Sequence, residues 1–269
     1  MIWLSRICIR QGSEIRESGA GMDRDPRVPG VSSWIRWLCG LAACALLPLT
    51  AATVTGRIEL RDSHEPAVEK RKDYSGVIVY LEPASGVVKA SHESRHAVMD
   101  QKNKTFKPHV LAIEVGTTVD FPNNDPIFHN AFSTYNGQLF DVGLYPPGTS
   151  RSVRFARPGI VRVFCNIHAT MSAVILVLNT PYFDTTKSDG RFEVAAVPPG
   201  DYTLHVFHER ATPATLESAA RSIVAIGDVV TLPPLTISES GYLPIPHKNK
   251  FGKDYPPATD DGGFYPSRK

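Results

Sequence analysis

Tryptophan and cysteine are almost absent after residue 52. Trp3, Trp34 and Trp37 all lie before that point, as do Cys8, Cys39 and Cys44, so Cys165 is the single thiol beyond it. One cysteine excludes an internal disulfide there. Its thiol is a free reactive group, an intermolecular link or a metal ligand. Excess charge is missing too. Residues 1–52 hold six of the 29 basic and four of the 27 acidic side chains, which leaves 23 of each sign. A balanced chain with no basic reading head excludes nucleic acid as an expected partner. Helical periodicity is scarce, and only residues 215–222, "TLESAARS", read as a helix. No H-E-x-x-H motif or Ser/His/Asp elbow is visible, so no small-molecule substrate and no enzymatic activity are expected.

Long apolar runs are missing except one. Residues 37–49, "WLCGLAACALLPL", follow Arg27 and Arg36 and precede the small residues "TAA". That order of charge, apolar core and small residues is a secretory signal, and thirteen residues are too few for a comfortable membrane span. Residues 1–52 are therefore read as a leader cleaved near Ala52, with Met22 as an alternative start. A periplasmic or otherwise exported protein is expected. "LAAC" (41–44) offers a second route, a lipoprotein box leaving a lipidated Cys44; a membrane anchor is not the favoured reading.

Beyond residue 53 the chain reads as short β-branched runs: 55–60, 76–82, 109–115, 118–121, 152–155, 160–164 and 173–178. Turns such as "GTT", "RPG", "PPG" and "SDG" punctuate them, so the expected fold class is all-β, built of sandwiches. Residues 239–269 hold five prolines and no apolar periodicity, and are expected to be an extended or disordered tail. "TKSDGRFEVAAVPPGDYTLHVFHE" resembles the second half of the carboxypeptidase regulatory-like, or transthyretin-like, sandwich. The strands that begin that family occur far upstream, at "TGRIELRD" and "SGVIVYLEP". The expected organisation is one small sandwich, 53–86 plus 181–238, interrupted by an inserted domain, 87–180. A lone two-stranded hairpin has too little core to stand by itself, although a tandem arrangement is the alternative.

The inserted block holds "FCNIHATM", in which Cys165, His168 and Met171 are spaced C-x-x-H-x-x-M after an alternating strand. Thiolate, imidazole and thioether together select copper or a similar metal over magnesium or calcium, and a Met argues against a hydrolytic zinc site. One loop cannot surround a metal. "VDFPNNDPIFHNAFS" (119–133) supplies His129 from a second loop. These two motifs together resemble the cupredoxins, the small blue copper proteins such as plastocyanin and amicyanin, over residues 97–179.

The resemblance implies a Greek-key β-sandwich with one type 1 copper cycling between Cu(I) and Cu(II). His129, Cys165 and His168 would be the equatorial ligands and Met171 the axial one. Asn130 would tie the two ligand loops together, with Asn166 a candidate partner; each could equally be a turn residue. Amicyanin-type loops carry prolines beside the second His, whereas Ile167 and Ala169 stand here, which implies a more mobile loop. One mature cysteine and no H-C-H run exclude binuclear copper and multicopper oxidase sites. The expected function is single-electron transfer to redox partner proteins through the edge of His168. The alternative is an exported copper-handling or adhesion protein with structural or stored copper. Cys165 as an inert core thiol and Met171 as core filler are the bland readings. His92, His96 and His109 are expected to be surface or structural. His205 and His208 face opposite sides of a strand and make a poor chelate. Tyr145, Phe140, Phe155 and Phe164 are expected in the core.

Overall fold

The computed structural model describes residues 50–86, 95–134, 137–243 and 246–256. The leader up to residue 49, with Cys8, Cys39, Cys44 and Met22, lies outside the described residues, as does His92. Eighteen strands and two short helices make the described chain all-β. The first part holds β1 (Ala52–Arg61), α1 (Pro66–Arg71) and β2 (Ile78–Pro83). The middle holds β3 (His96–Val98), β4 (Asp100–Gln101), β5 (Phe106–Lys107), β6 (Val110–Glu114), β7 (Thr118–Pro122), β8 (Phe132–Ser133), β9 (Phe140–Asp141), β10 (Ser150–Arg154), β11 (Gly159–Phe164) and β12 (Ser172–Leu178). The last part holds β13 (Phe183–Thr185), β14 (Arg191–Val197), β15 (Gly200–Phe207), α2 (Pro213–Ser218), β16 (Arg221–Ala225), β17 (Val229–Thr231) and β18 (Leu235–Ser238).

Among the described residues, four of the five sheets pack around three apolar clusters, and β4 and β5 form the fifth. β1 pairs antiparallel with β14 and parallel with β17 and β18, while β2 lies between β13 and β15. Alternation places Ile58 and Leu60 of β1 against Val79 and Leu81 of β2 and Leu204 and Val206 of β15. The upstream strands thus share a core with strands more than a hundred residues away. Gly190, at the turn before β14, shows how close that approach is. It sits at φ +80°, and a Cβ there would lie 2.0 Å from the Ile58 carbonyl oxygen. Only glycine fits such a position.

The middle strands form a second sandwich, β10-β7-β3 against β6-β12-β11-β8-β9. Val119, Phe121, Phe155, Val161, Val163, Ala173, Ile175 and Val177 fill it. β12 is buried on both faces. Its odd residues point into this core, and Val174, Leu176 and Leu178 point the other way, onto Ile78 and Phe207 of the neighbouring sandwich. A strand covered on both sides reads as an unbroken apolar run, and "AVILVL" is one.

Three expectations need correction. Residues 239–243 and 246–256 are not a disordered tail, because side chains of 247–255 pack on the middle sandwich; residues 257–269 lie outside the described residues. α1 was not expected; Pro66 opens it and Lys72 closes it in the left-handed conformation. β1 begins at Ala52, fully buried and paired with Val197, so the first strand starts inside the expected leader.

Candidate metal centre

The loop of residues 165–171 joins β11 to β12, whose hairpin pairs Phe164 with Ser172. That register leaves Cys165 and Met171 opposite one another at the loop base, where the Cys165 N–H donates to the Met171 carbonyl at 3.2 Å. The Met171 N–H donates to the His168 carbonyl at 3.1 Å and turns the loop back on itself. A single pairing, Phe132 of β8 with Phe164 of β11, brings the preceding loop alongside. His129 is held there by reciprocal backbone bonds with Tyr145, at 3.2 and 2.9 Å.

His129, Cys165 and His168 come together with all three donor atoms within 4.8 Å of one another. Cys165 Sγ lies 3.9 Å from His129 Nδ1 and 3.6 Å from His168 Nδ1. Two donors bound to one ion at 2.0–2.3 Å, and 110–120° apart, are separated by about 3.6–3.8 Å. The two sulfur-to-nitrogen separations are close to that spacing. Met171 is fully buried in the same core as Cys165, and its thioether is the further soft group the loop carries.

The residues around this set fix its protonation. Asp125 Oδ2 lies 2.7 Å from His129 Nε2, and a carboxylate only accepts, so Nε2 carries the proton and the Nδ1 lone pair faces the sulfur. Asp125 is itself held by the N–H groups of Asn103 and Lys104, at 2.5 and 2.9 Å. Burial lowers the pKa of His129 although Asp125 opposes it. Burial, with His129 adding to it, takes His168 down to about 4. Both imidazoles are therefore neutral at neutral pH and free to act as ligands. Burial raises the Cys165 thiol, while backbone N–H groups of Ile167, Asn130 and His168 favour its anion. Metal binding would release that proton.

Asn130 donates through Nδ2 to Asp141 Oδ1 and the Gly143 carbonyl, at 2.8 and 2.9 Å, and its Oδ1 accepts the Asn166 N–H at 3.3 Å. Asn130 thus bridges the two loops. Asn166 turns its own Oδ1 to the Lys250 N–H, at 3.0 Å. Four other histidines have partners away from the site. His96 pairs with Asp120, His109 with Glu209, and His208 with Glu239, while His205 stacks on Tyr80. Tyr145 and Phe155 are fully buried. Sequence reasoning missed Asp125 as the partner of His129, although an acid four residues before a ligand histidine was visible in "DPIFH".

Such a set, two imidazoles and a thiol with a thioether in the same core, could hold one ion of a soft or borderline metal. No family model matches the chain, and no curated protein matches it. Solved structures it is similar to include cupredoxins and a copper-containing nitrite reductase. With the copper-containing nitrite reductase of Thermus scotoductus it shares 27% identity over 36% of this chain, at a TM-score of 0.30. The match spans 25% of that enzyme's length. A purple cupredoxin from Nitrosopumilus maritimus is 26% identical over 32% of this chain and all of its own, TM-score 0.28. A reduced amicyanin variant is 17% identical over 37% of this chain and 98% of its own, TM-score 0.30. The donor geometry, not these likenesses, supports the reading below.

Proposed function

We propose that the chain is an exported blue copper protein that holds one type 1 copper and carries single electrons between partner proteins. The observation behind this is the aim of two neutral imidazole Nδ1 atoms, from separate loops, at one buried thiol, 3.9 and 3.6 Å away. His129, Cys165 and His168 would hold the copper, with Met171 as a weak axial contact. Bound there, copper supplies a one-electron couple between Cu(II) and Cu(I).

The chain's own residues do the rest. Cys165 and His129 are fully buried and keep water from the donors. Asp125 and Asn130 hold the first loop in register with the second. The His168 ring is half-buried and beside exposed Ile167 and Ala169, so its outer edge is where a partner would approach. The reading as a carrier and not an enzyme rests on the sequence, which has one thiol after residue 52 and no H-C-H run. Export rests on the leader. The flanking strands are proposed as a carboxypeptidase regulatory-like sandwich with the copper domain inserted, on the pairing of β1 with β14 and β2 with β15.

One observation favours a second reading. The C-terminal segment lies against the base of the ligand loop, with the Tyr255 hydroxyl on the Cys165 carbonyl and the His247 ring stacked on Phe164 at 4.0 Å, and a loop held in this way suits copper that is stored or handed on. Voltammetry of the copper-loaded chain separates the two. A reversible one-electron wave with rapid self-exchange supports the carrier, and an irreversible wave with copper retained supports handling.

A further inference from the structure

The ligand loop is short of internal support. Its Cys165 N–H and Met171 N–H bonds close the base, but Ile167, Ala169 and Thr170 are exposed. What holds the rest comes from almost ninety residues away. Residues 246–256 form a hairpin whose tip is a turn: the Asn249 N–H donates to the Lys253 carbonyl at 2.9 Å, and the Gly252 N–H to the Asn249 carbonyl at 2.9 Å. The turn returns Tyr255 to the side of His247, with ring centroids 5.2 Å apart.

Both legs of the hairpin reach the loop. The Tyr255 hydroxyl donates to the Cys165 carbonyl at 2.8 Å. His247 Nε2 lies 2.9 Å from the Ala169 carbonyl, and a carbonyl only accepts, so Nε2 carries a proton and donates. His247 Nδ1 lies 3.2 Å from the Tyr255 oxygen, so the two contacts sit side by side. Between the legs, the Lys250 N–H donates to Asn166 Oδ1, and Lys250 Nζ to Asp141 Oδ2 at 2.7 Å. Asp141 in turn accepts from Asn130, so the hairpin is connected to the first ligand loop as well.

We infer that residues 246–256 are a strap on the metal loop and that Tyr255 and His247 are positioning residues for Cys165 and His168. The inference rests on the metal-centre reading above. The two carbonyls the strap holds, of Cys165 and Ala169, bracket His168 on either side. Fixing both limits the backbone rotation that would swing the imidazole Nδ1 away from the thiol. Neither Tyr255 nor His247 supplies a donor atom to the centre. They act through the loop, which keeps the donor set assembled before any metal arrives. A site that hardly rearranges between oxidation states is what electron exchange requires.

The test uses the full chain and four variants: Tyr255→Phe, His247→Ala, His247→Gln and, as a control on the exposed strap tip, Phe251→Ala. The first readout needs no metal. It is the rate at which iodoacetamide alkylates Cys165 in the metal-free protein, followed by the mass of the peptide that carries it. Loss of one loop-holding hydrogen bond should raise that rate about tenfold in Tyr255→Phe and His247→Ala. His247→Gln should recover most of it, because its amide N–H can still reach the Ala169 carbonyl, and Phe251→Ala should match the parent. The second readout is copper release to a chelator after loading with one equivalent, which should quicken in the same order. Rates for Tyr255→Phe and His247→Ala within twofold of the parent overturn the inference. So does a faster rate in all four variants alongside a uniformly lowered unfolding midpoint, which would make the hairpin a general stabiliser. A chain that takes up no copper yet shows the alkylation pattern sinks the copper reading and leaves the strap standing.

Discussion

Removing the Glu239 carboxylate should cost the protein several kilocalories and change the shape of its acid unfolding. Glu239 follows β18, and its side chain is 4% exposed. It accepts from His208 Nε2 at 2.8 Å, from Arg210 Nε and Nη2 at 2.9 and 3.0 Å, and from Ser63 Oγ at 2.7 Å. These donors come from the end of β1 and the end of β15, so one carboxylate clamps three distant segments. Burial alone would raise its pKa. The bonds from His208, Arg210 and Ser63 outweigh burial and lower it from 4.5 to about 2. A carboxyl depressed in the folded state stabilises fully above its unfolded pKa, and that stability is lost as pH falls through the folded value. The shift corresponds to about 3 kcal/mol at neutral pH. Glu239→Ala should cost about 3 kcal/mol, since it leaves the part-buried Arg210 charge and the buried His208 without their shared partner, and Glu239→Gln somewhat less. Urea unfolding at pH 7, 5, 4 and 3 measures this. The gap between parent and Glu239→Gln should be constant from pH 7 to 5 and shrink from about 4.5 toward 2. A gap under about 1 kcal/mol at pH 7, or one that does not change down to pH 3, refutes the reasoning.

Three further outcomes follow from other contacts. Asp125→Ala removes the group that holds His129 Nε2, and copper affinity measured by chelator competition should fall about 10- to 100-fold. Met171→Gln should retain copper with a lower reduction potential, because an oxygen donor favours Cu(II); an unchanged potential counts against an axial Met171. Gly190→Ala would drive a methyl into the Ile58 carbonyl at a positive φ, and should lower unfolding free energy by about 2–3 kcal/mol or more. A Gly190→Ala protein as stable as the parent would contradict the close packing of β1 against the turn before β14.

The legible parts of this chain were those in which local pattern and long-range packing agree. Alternation at 55–60, 118–121 and 160–164 marked strands because one face of each is buried and the other is wet. β3, β4 and β5 span two or three residues each, too few for any period to register. The run at 173–178 was read as a strand, but nothing in it says that Ile78 and Phe207 cover its second face. The donors at 165, 168 and 171 were legible from their spacing. Their meeting with His129 depends on the Phe132–Phe164 pairing, which no local pattern encodes. In the C-terminal segment the prolines and the missing apolar periodicity point to a tail, and the packing of 246–256 is not in that pattern. The clues to the contrary were its Asn249–Gly252 turn and the two rings, His247 and Tyr255, that the turn brings together. Ile167 and Ala169 implied a mobile loop in place of flanking prolines, whereas the strap holds the Cys165 and Ala169 carbonyls on either side of His168.

The central claim is that one copper sits between His129, Cys165 and His168, and an optical titration tests it most directly. Cu(II) added to the purified chain should be taken up at one equivalent and give an intense visible absorption from sulfur-to-copper charge transfer. Cys165→Ser, which leaves both imidazoles and the thioether in place, should lose that absorption entirely. A Cys165→Ser protein that still turns blue, or a parent chain that binds one Cu(II) without colour, would contradict the site.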